Sequence, residues 1–375
     1  MRRPACKGPI RVSALKGLVL SETIFNFSDS EFQVIKLGHP KNPMKILKIS
    51  GLILLSFFGL ILLGLGLAYT PDIPAVEAEM KYMTKESAII SVMDAQVHVR
   101  ERGEGMPVFL IHGSFASLHT WAEWESVLSK QYRTISMDLP GHGLTGPNRS
   151  HVYSQNYYRD LVFALADSLK IDSFYVAGNS MGGNVALRMA LEKPERIKKL
   201  ILVDAAGSLQ PPKPDTTKKQ SVNPSKGRPW IFRLITHPAG GKLLTRFTPR
   251  FLFKLNLKQV YGDPNLINDD MVDRYSELLR REGNREATLK RLTGGINLTG
   301  PSGSNERNEI TCPTLILWGA KDNWIPLKNG ELLKSQIPNS KLVVFPQAGH
   351  VPHEEIPTET VQEVLDFLKS SGNIE

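Results

Sequence analysis

Residues 174–190 read Phe-Tyr-Val-Ala-Gly-Asn-Ser-Met-Gly-Gly-Asn-Val-Ala-Leu-Arg-Met-Ala. An apolar run, Phe174-Tyr175-Val176-Ala177, is joined to a helix-forming run, Val185 to Ala190, through Gly178-Asn179-Ser180-Met181-Gly182. The G-x-S-x-G pattern alone is weak, because average Gly and Ser usage gives about 0.1 accidental matches in a chain this long. Its setting makes it informative: a serine presented for attack needs a strand, a tight strained turn and a helix, in that order. The glycines leave space where side chains would crowd the turn. The turn pushes the Ser180 hydroxyl away from the backbone, and the helix aims its partly positive amino end at any anion formed there.

The same rhythm extends in both directions. Upstream, Ala88–Val92 and Val97–Arg100 read as a hairpin around Met93-Asp94-Ala95-Gln96. Strands follow at Val108–His112, Arg133–Asp138, Ser173–Gly178 and Leu200–Asp204. Helices are predicted near Trp121–Lys130, Gln155–Lys170 and Met181–Glu192. Downstream the pattern breaks over 208–309, a stretch rich in Pro, Lys, Arg and scattered aromatics. It resumes with Thr314–Trp318, a helix near Leu327–Gln336, Lys341–Phe345 and a last helix near Thr358–Ser370. Continuous apolar strands alternating with helices predict an α/β fold, its mostly parallel sheet covered by helices on both faces. An insertion of roughly 100 residues is too long for a plain loop. It is expected to be a mostly helical cap over the sheet's carboxyl edge, where open α/β sheets place ligands.

Five stretches, in this order and spacing, resemble the α/β-hydrolase family: His112-Gly113-Ser114-Phe115, Asp138-Leu139-Pro140-Gly141-His142-Gly143, the serine turn itself, Trp318-Gly319-Ala320-Lys321-Asp322, and Gly349-His350. The resemblance spans about Ala88 to Ser370. It implies the chain order nucleophile, acid, base, which Ser180, Asp322 and His350 supply, and an oxyanion hole from the backbone N–H groups of Met181 and Ser114. Asp322 and His350 each follow a predicted strand, which puts them at the same sheet edge as Ser180. A serine hydroxyl needs an adjacent base. His350 would take its proton and return it to the leaving group, while Asp322 fixes the imidazole tautomer.

Rival assignments stay open at this point. His353 lies three residues from His350, and Asp204 follows a strand from which a carboxylate also reaches the base in some relatives. His112 and His142 read as structural. Trp324 is a candidate for the pocket wall or for packing. Trp230, Phe232, Phe247, Phe251 and Phe253 are expected to form the cap's own core, and Lys213–Lys226 to be solvated surface.

Ser180 argues against dehalogenase and epoxide-hydrolase chemistry, which needs a carboxylate nucleophile. The expected activity is carboxylic ester hydrolysis through an acyl-enzyme, on a small ester or lipid. The alternatives are a carbon–carbon bond hydrolase of ring-cleavage products, or a non-catalytic ligand receptor on the same fold. No metal or organic cofactor is implied.

Residues Ile49 to Tyr69 (ISGLILLSFFGLILLGLGLAY) carry no charge. About 20 such residues at 1.5 Å each match a bilayer's hydrocarbon core. Lys41, Lys45 and Lys48 precede the run, and Asp72, Glu77 and Glu79 follow it. The positive-inside tendency then keeps the N-terminus cytoplasmic and carries the bulk of the chain across. Gly66-Leu67-Ala68 offers the other reading, cleavage near Ala68 and a secreted or periplasmic product. Met44-Lys45-Ile46-Leu47-Lys48 by itself resembles the start of a signal or anchor sequence, which suggests translation from Met44. The expected organisation is an N-terminal segment over 1–48, a transmembrane anchor over 49–69, a linker over 70–87, a hydrolase core over 88–207 and 310–375, and a cap over 208–309.

The net charge of +9 comes from 46 Lys and Arg against 37 Asp and Glu. Much of the excess lies near the N-terminus, and no nucleic-acid-binding motif is present. Two cysteines, Cys6 and Cys312, build no disulfide framework or zinc site, and Cys312 is expected to face the core.

Overall fold

The computed structural model describes residues 43–209, 237–294 and 309–370. Cys6, Lys213–Lys226, Trp230 and Phe232 lie outside them. The chain divides into two compact units, Met1–Leu67 and Ala68–Glu375. The described part of the first is one helix, α1, over Pro43–Ala68, with an 18-residue window, Leu47–Gly64, of mean hydropathy 2.2. By length and composition it is able to cross a bilayer.

The second unit opens with a strap and a short helix, α2 (Ala75–Tyr82), and then builds the sheet. Its strands are β1 (Ser87–Val92), β2 (Ala95–Arg102), β3 (Pro107–Ile111), β4 (Arg133–Met137), β5 (Phe174–Asn179), β6 (Ile197–Val203), β7 (Thr314–Gly319) and β8 (Ser340–Phe345). Their order is β1-β2-β4-β3-β5-β6-β7-β8. The β1–β2 hairpin and the β2–β4 pairing are antiparallel, and every pairing from β4 to β8 is parallel. The chain runs outward from β3 to β4 and returns to β5 on β3's other side. That reversal opens a crevice at the carboxyl ends of β3 and β5, which are followed by His112 and Ser180.

Alternation along each strand explains why both faces are dry. Phe109 and Ile111 of β3 join one apolar cluster while Val108 and Leu110 join another, all fully buried. The first cluster is covered by α4 (Gln155–Ser168) and α5 (Met181–Glu192), the second by α3 (Ala122–Leu128) and the last helix, over Pro357–Lys369. Cys312 is buried, as expected. Strand and helix bounds match the sequence reading to within three residues at each end.

The described cap residues form four helices: α6 (Pro238–Leu244), α7 (Arg250–Val260), α8 (Asp269–Arg280) and α9 (Asn284–Thr293). Two expectations need correction here. Phe251 is 60% exposed rather than part of a cap core; on α7 it lies on the face away from Leu257 and Val260, which pack inward. Residues 70–87 are no loose linker. Thr70 N donates to Arg246 O at 3.0 Å, Ile73 N to Arg280 O at 2.8 Å and Glu282 N to Ile73 O at 2.8 Å. The Arg285 guanidinium binds Thr70 O at 2.8 Å and the Asp72 carboxylate at 2.7 Å. The strap is therefore stitched to the cap by backbone bonds that no apolar pattern announces.

Candidate active site

The serine turn forms as its sequence requires. Ser180 has φ 52° and ψ −114°, a left-handed conformation that is costly for a residue with a side chain and that recurs at functional sites. The surroundings enforce it. A Cβ on Gly182 would lie 2.1 Å from Ile111 O, and one on Gly178 would lie 2.3 Å from Gly182 O. The turn is pressed against β3 at a separation only glycine allows.

His350 and Asp322 meet: His350 Nδ1 is 2.7 Å from Asp322 Oδ2. Asp322 Oδ1 accepts from the backbone N–H groups of Trp324, at 2.7 Å, and Ile325, at 2.9 Å. The carboxylate is thereby fixed in plane and committed to holding the imidazole with its proton on Nδ1, leaving Nε2 as the acceptor. His350 is placed by the cap as well as the sheet. His350 N donates to Val260 O of α7 at 2.7 Å, and Asn179 Nδ2 donates to His350 O at 3.0 Å. Ser180, His350 and Trp324 line one cleft with Gly113, Ser114 and Phe115. Among the described residues no hydrogen bond joins Ser180 Oγ to His350; such catalytic bonds commonly tighten only when substrate is bound. Ser114, which lines the cleft, brings its Oγ to 3.5 Å from Met181 Sδ.

The rivals fall elsewhere. Asp204 is fully buried, and its Oδ1 accepts from Gly319 N at 3.0 Å. Burial and then the neighbouring Asp322 charge push its carboxyl well above the usual range. Asp204, Asp322 and His350 bring three ligand-type atoms within 4.8 Å. Both Asp322 oxygens are already hydrogen-bonded, Oδ2 to His350 and Oδ1 to the N–H groups of Trp324 and Ile325, so the closeness of the three groups follows from how Asp322 is held. His112 is structural: its Nδ1 is 2.7 Å from Gly113 O, and its Nε2 accepts from Leu139 N at 3.0 Å. His142 packs against it, ring centroids 4.9 Å apart. Trp324 both lines the cleft and stacks on the base, its ring 5.4 Å from that of His350.

His353 is walled in against Trp121, ring centroids 4.2 Å apart, with neither nitrogen bonded. It is no base. Burial holds it down to about 3. Its folded pKa thus lies below its unfolded one, so the unfolded chain binds a proton that the native state refuses. Stability is present above about pH 6.5 and falls as pH drops below it, by about 2 kcal/mol at pH 5 from this group alone. His119, held near 4 by burial, adds in the same direction. Thermal melts at pH 7.5 and pH 5 should show the loss, and His353→Phe should shrink it. An unchanged pH dependence in that variant would remove His353 as a cause.

The cap closes a second space. A half-open chamber of about 80 Å³ is lined by Leu244, Leu252, Phe253, Leu279 and Leu289, and shares Phe115, Asn256, Leu257 and Tyr275 with the Ser180 cleft. One residue the sequence reading passed over adjoins the cleft floor: Arg291, 7% exposed, donates from Nη1 to Ser114 Oγ at 3.0 Å.

Residues 106–357 match the family model of the alpha/beta hydrolase fold. The 2-hydroxy-6-oxononadienedioate/2-hydroxy-6-oxononatrienedioate hydrolase 1 of Pseudomonas putida is 29% identical over 282 residues, 74% of this chain and 93% of that protein. The 2-hydroxy-6-oxo-6-phenylhexa-2,4-dienoate hydrolase of Burkholderia cepacia is 29% identical over 285 residues, 73% of this chain and 91% of that protein. Among solved structures, a membrane phospholipase A shares the fold at TM-score 0.60 and 22% identity, covering 87% of this chain and 98% of its own. The two enzyme names side with the carbon–carbon alternative over the expected ester chemistry.

Proposed function

The chain belongs to the α/β-hydrolase fold family, and from that premise we propose that it is a serine hydrolase cleaving a carbon–carbon bond in a 2-hydroxy-6-oxo-dienoate bearing an apolar substituent. Ser180 is the nucleophile, His350 the base, Asp322 its orienting acid, and the N–H groups of Ser114 and Met181 the oxyanion hole. The observation that carries the catalytic assignment is the 2.7 Å His350–Asp322 bond in the cleft that Ser180 lines. The names of the relatives favour the bond class.

One triad serves either bond. Ser180 Oγ attacks the carbonyl carbon as His350 takes its proton, and the electron pair of the broken bond leaves on the departing group, which His350 then protonates. An ester releases an alkoxide. A carbon–carbon bond breaks only where the leaving carbon delocalises the pair, as it does once the 2-hydroxyl proton has moved to that carbon and the departing group leaves conjugated with the 2-oxo group. The chamber argues for an apolar substituent over a second carboxylate, because among the described residues its one lining cation, Arg285, is already neutralised by Asp72.

A second reading, an ester or lipid hydrolase, draws support from the chamber's aliphatic wall and from α1. Ala88–Ser370 is about three-quarters of the chain, so the 87% shared with the membrane phospholipase A extends upstream of the sheet. In this reading α1 anchors the protein in a membrane and lipid reaches the cleft from it.

The test is a panel run on purified full-length protein: decay of 2-hydroxy-6-oxo-6-phenylhexa-2,4-dienoate by absorbance, beside p-nitrophenyl esters of increasing chain length. Turnover of the dienoate at least tenfold faster in kcat/KM than of the best ester is expected. Ester turnover alone would transfer the assignment to the second reading.

A further inference from the structure

Among the described residues Arg291 is a buried charge that the site as described leaves unexplained. It lies on α9, buried, with Nη1 on Ser114 Oγ at 3.0 Å and on Met181 Sδ at 3.5 Å. Its Nε and Nη2 have no hydrogen-bond partner, and among the described residues no carboxylate pairs with it. An uncompensated buried cation costs several kcal/mol, whereas a methionine would fill similar volume without that cost. The guanidinium also lies 5.8 Å from the ring of Phe115, whose φ of 63° is itself left-handed. Arg291 therefore touches both residues assigned to the oxyanion hole and the strained residue that follows one of them.

The same helix carries Arg285, six residues earlier, which binds Thr70 O, Thr248 Oγ1 and the Asp72 carboxylate at 2.7–2.9 Å. One ten-residue helix is thus pinned at its start to the strap after α1 and near its end to the oxyanion hole.

We propose that Arg291 is a positioning residue: it holds Ser114 and Met181 so that their N–H groups converge, and α9 transmits the strap's placement to it through Arg285. The unneutralised charge also favours the negative charge that develops on the substrate oxygen. The proposal rests on the oxyanion-hole assignment above.

The test uses a fluorophosphonate probe on the full-length protein, because phosphonylation of Ser180 also builds charge in the oxyanion hole, and separates kinact from KI. Arg291→Met should lower kinact by roughly 10- to 100-fold with KI within about twofold, and Arg291→Lys should recover most of that loss. Arg285→Met should slow labelling severalfold in the wild-type background but add nothing to Arg291→Met, since the two act in series. Wild-type kinact in Arg291→Met would overturn the proposal. So would equal losses in the Lys and Met variants, or additive losses in the double variant. A lowered Tm with unchanged kinact per folded molecule would reduce Arg291 to a packing role. Labelling that survives Ser180→Ala would instead overturn the nucleophile assignment, a separate failure.

Discussion

Ser180→Ala is expected to lower kcat by about 10⁴- to 10⁶-fold on any substrate the protein turns over, with the fold intact. The size follows from what the hydroxyl alone supplies. Without it His350 has no nucleophile to activate, and the reaction falls back on water in a cleft whose remaining help is binding and the oxyanion hole. The fold should tolerate the change because the Ser180 hydroxyl makes no hydrogen bond among the described residues, and because alanine needs no more room than serine. The left-handed backbone at 180 is imposed by Gly178 and Gly182 against β3, not by the side chain. Tm should move by no more than a few degrees. The comparison is kcat for both proteins with a mass-spectrometric check for labelling at residue 180. Residual turnover above one part in a hundred, free of wild-type contamination, would remove Ser180 from the chemistry.

Much of this site was legible because its parts are local. Gly178-Asn179-Ser180-Met181-Gly182 needs only its own strand and helix to form. Asp322 and His350 each follow an apolar strand closely enough that the parallel sheet delivers them to one edge. Between His350 and His353 the proposal follows packing: only the fold shows that residue 353 is sealed against Trp121. Between Asp322 and Asp204 the proposal follows the contact of Asp322 with His350, in a carboxylate oriented by the N–H groups of Trp324 and Ile325 that no pattern encodes. The strap and Arg291 escaped the reading for another reason. Thr70-Pro71-Asp72-Ile73 has the composition of a linker, and its order comes from backbone groups paired across some 200 residues of chain. Nothing in Lys290-Arg291 marks a buried charge, since in sequence a buried arginine differs in nothing from an exposed one. What marks it is tertiary: α9 lays that face on the β3 and β5 loops.

Asp322→Asn should cost about 10⁴-fold in kcat while leaving KM and Tm close to wild type. The geometry dictates why so small a change is so damaging. The backbone N–H groups of Trp324 and Ile325 both point at the Oδ1 position. An asparagine there must place its carbonyl oxygen on them and so turn its NH₂ group toward His350 Nδ1. The imidazole then accepts at Nδ1 and carries its proton on Nε2, the nitrogen that should receive the Ser180 proton. The base is present, in place, and in the wrong tautomer. Among the described residues Asp204 is the neighbour placed to soften this result, for removing the Asp322 charge eases its ionisation. Yet Asp204 Oδ1 is occupied by Gly319 N, and the carboxyl is sealed from water. The double variant Asp204→Asn with Asp322→Asn should therefore be no slower than Asp322→Asn alone. Measured kcat values for the two singles and the double decide it. An Asp322→Asn enzyme within about tenfold of wild type, slowed further by Asp204→Asn, would move the acid of the triad to β6.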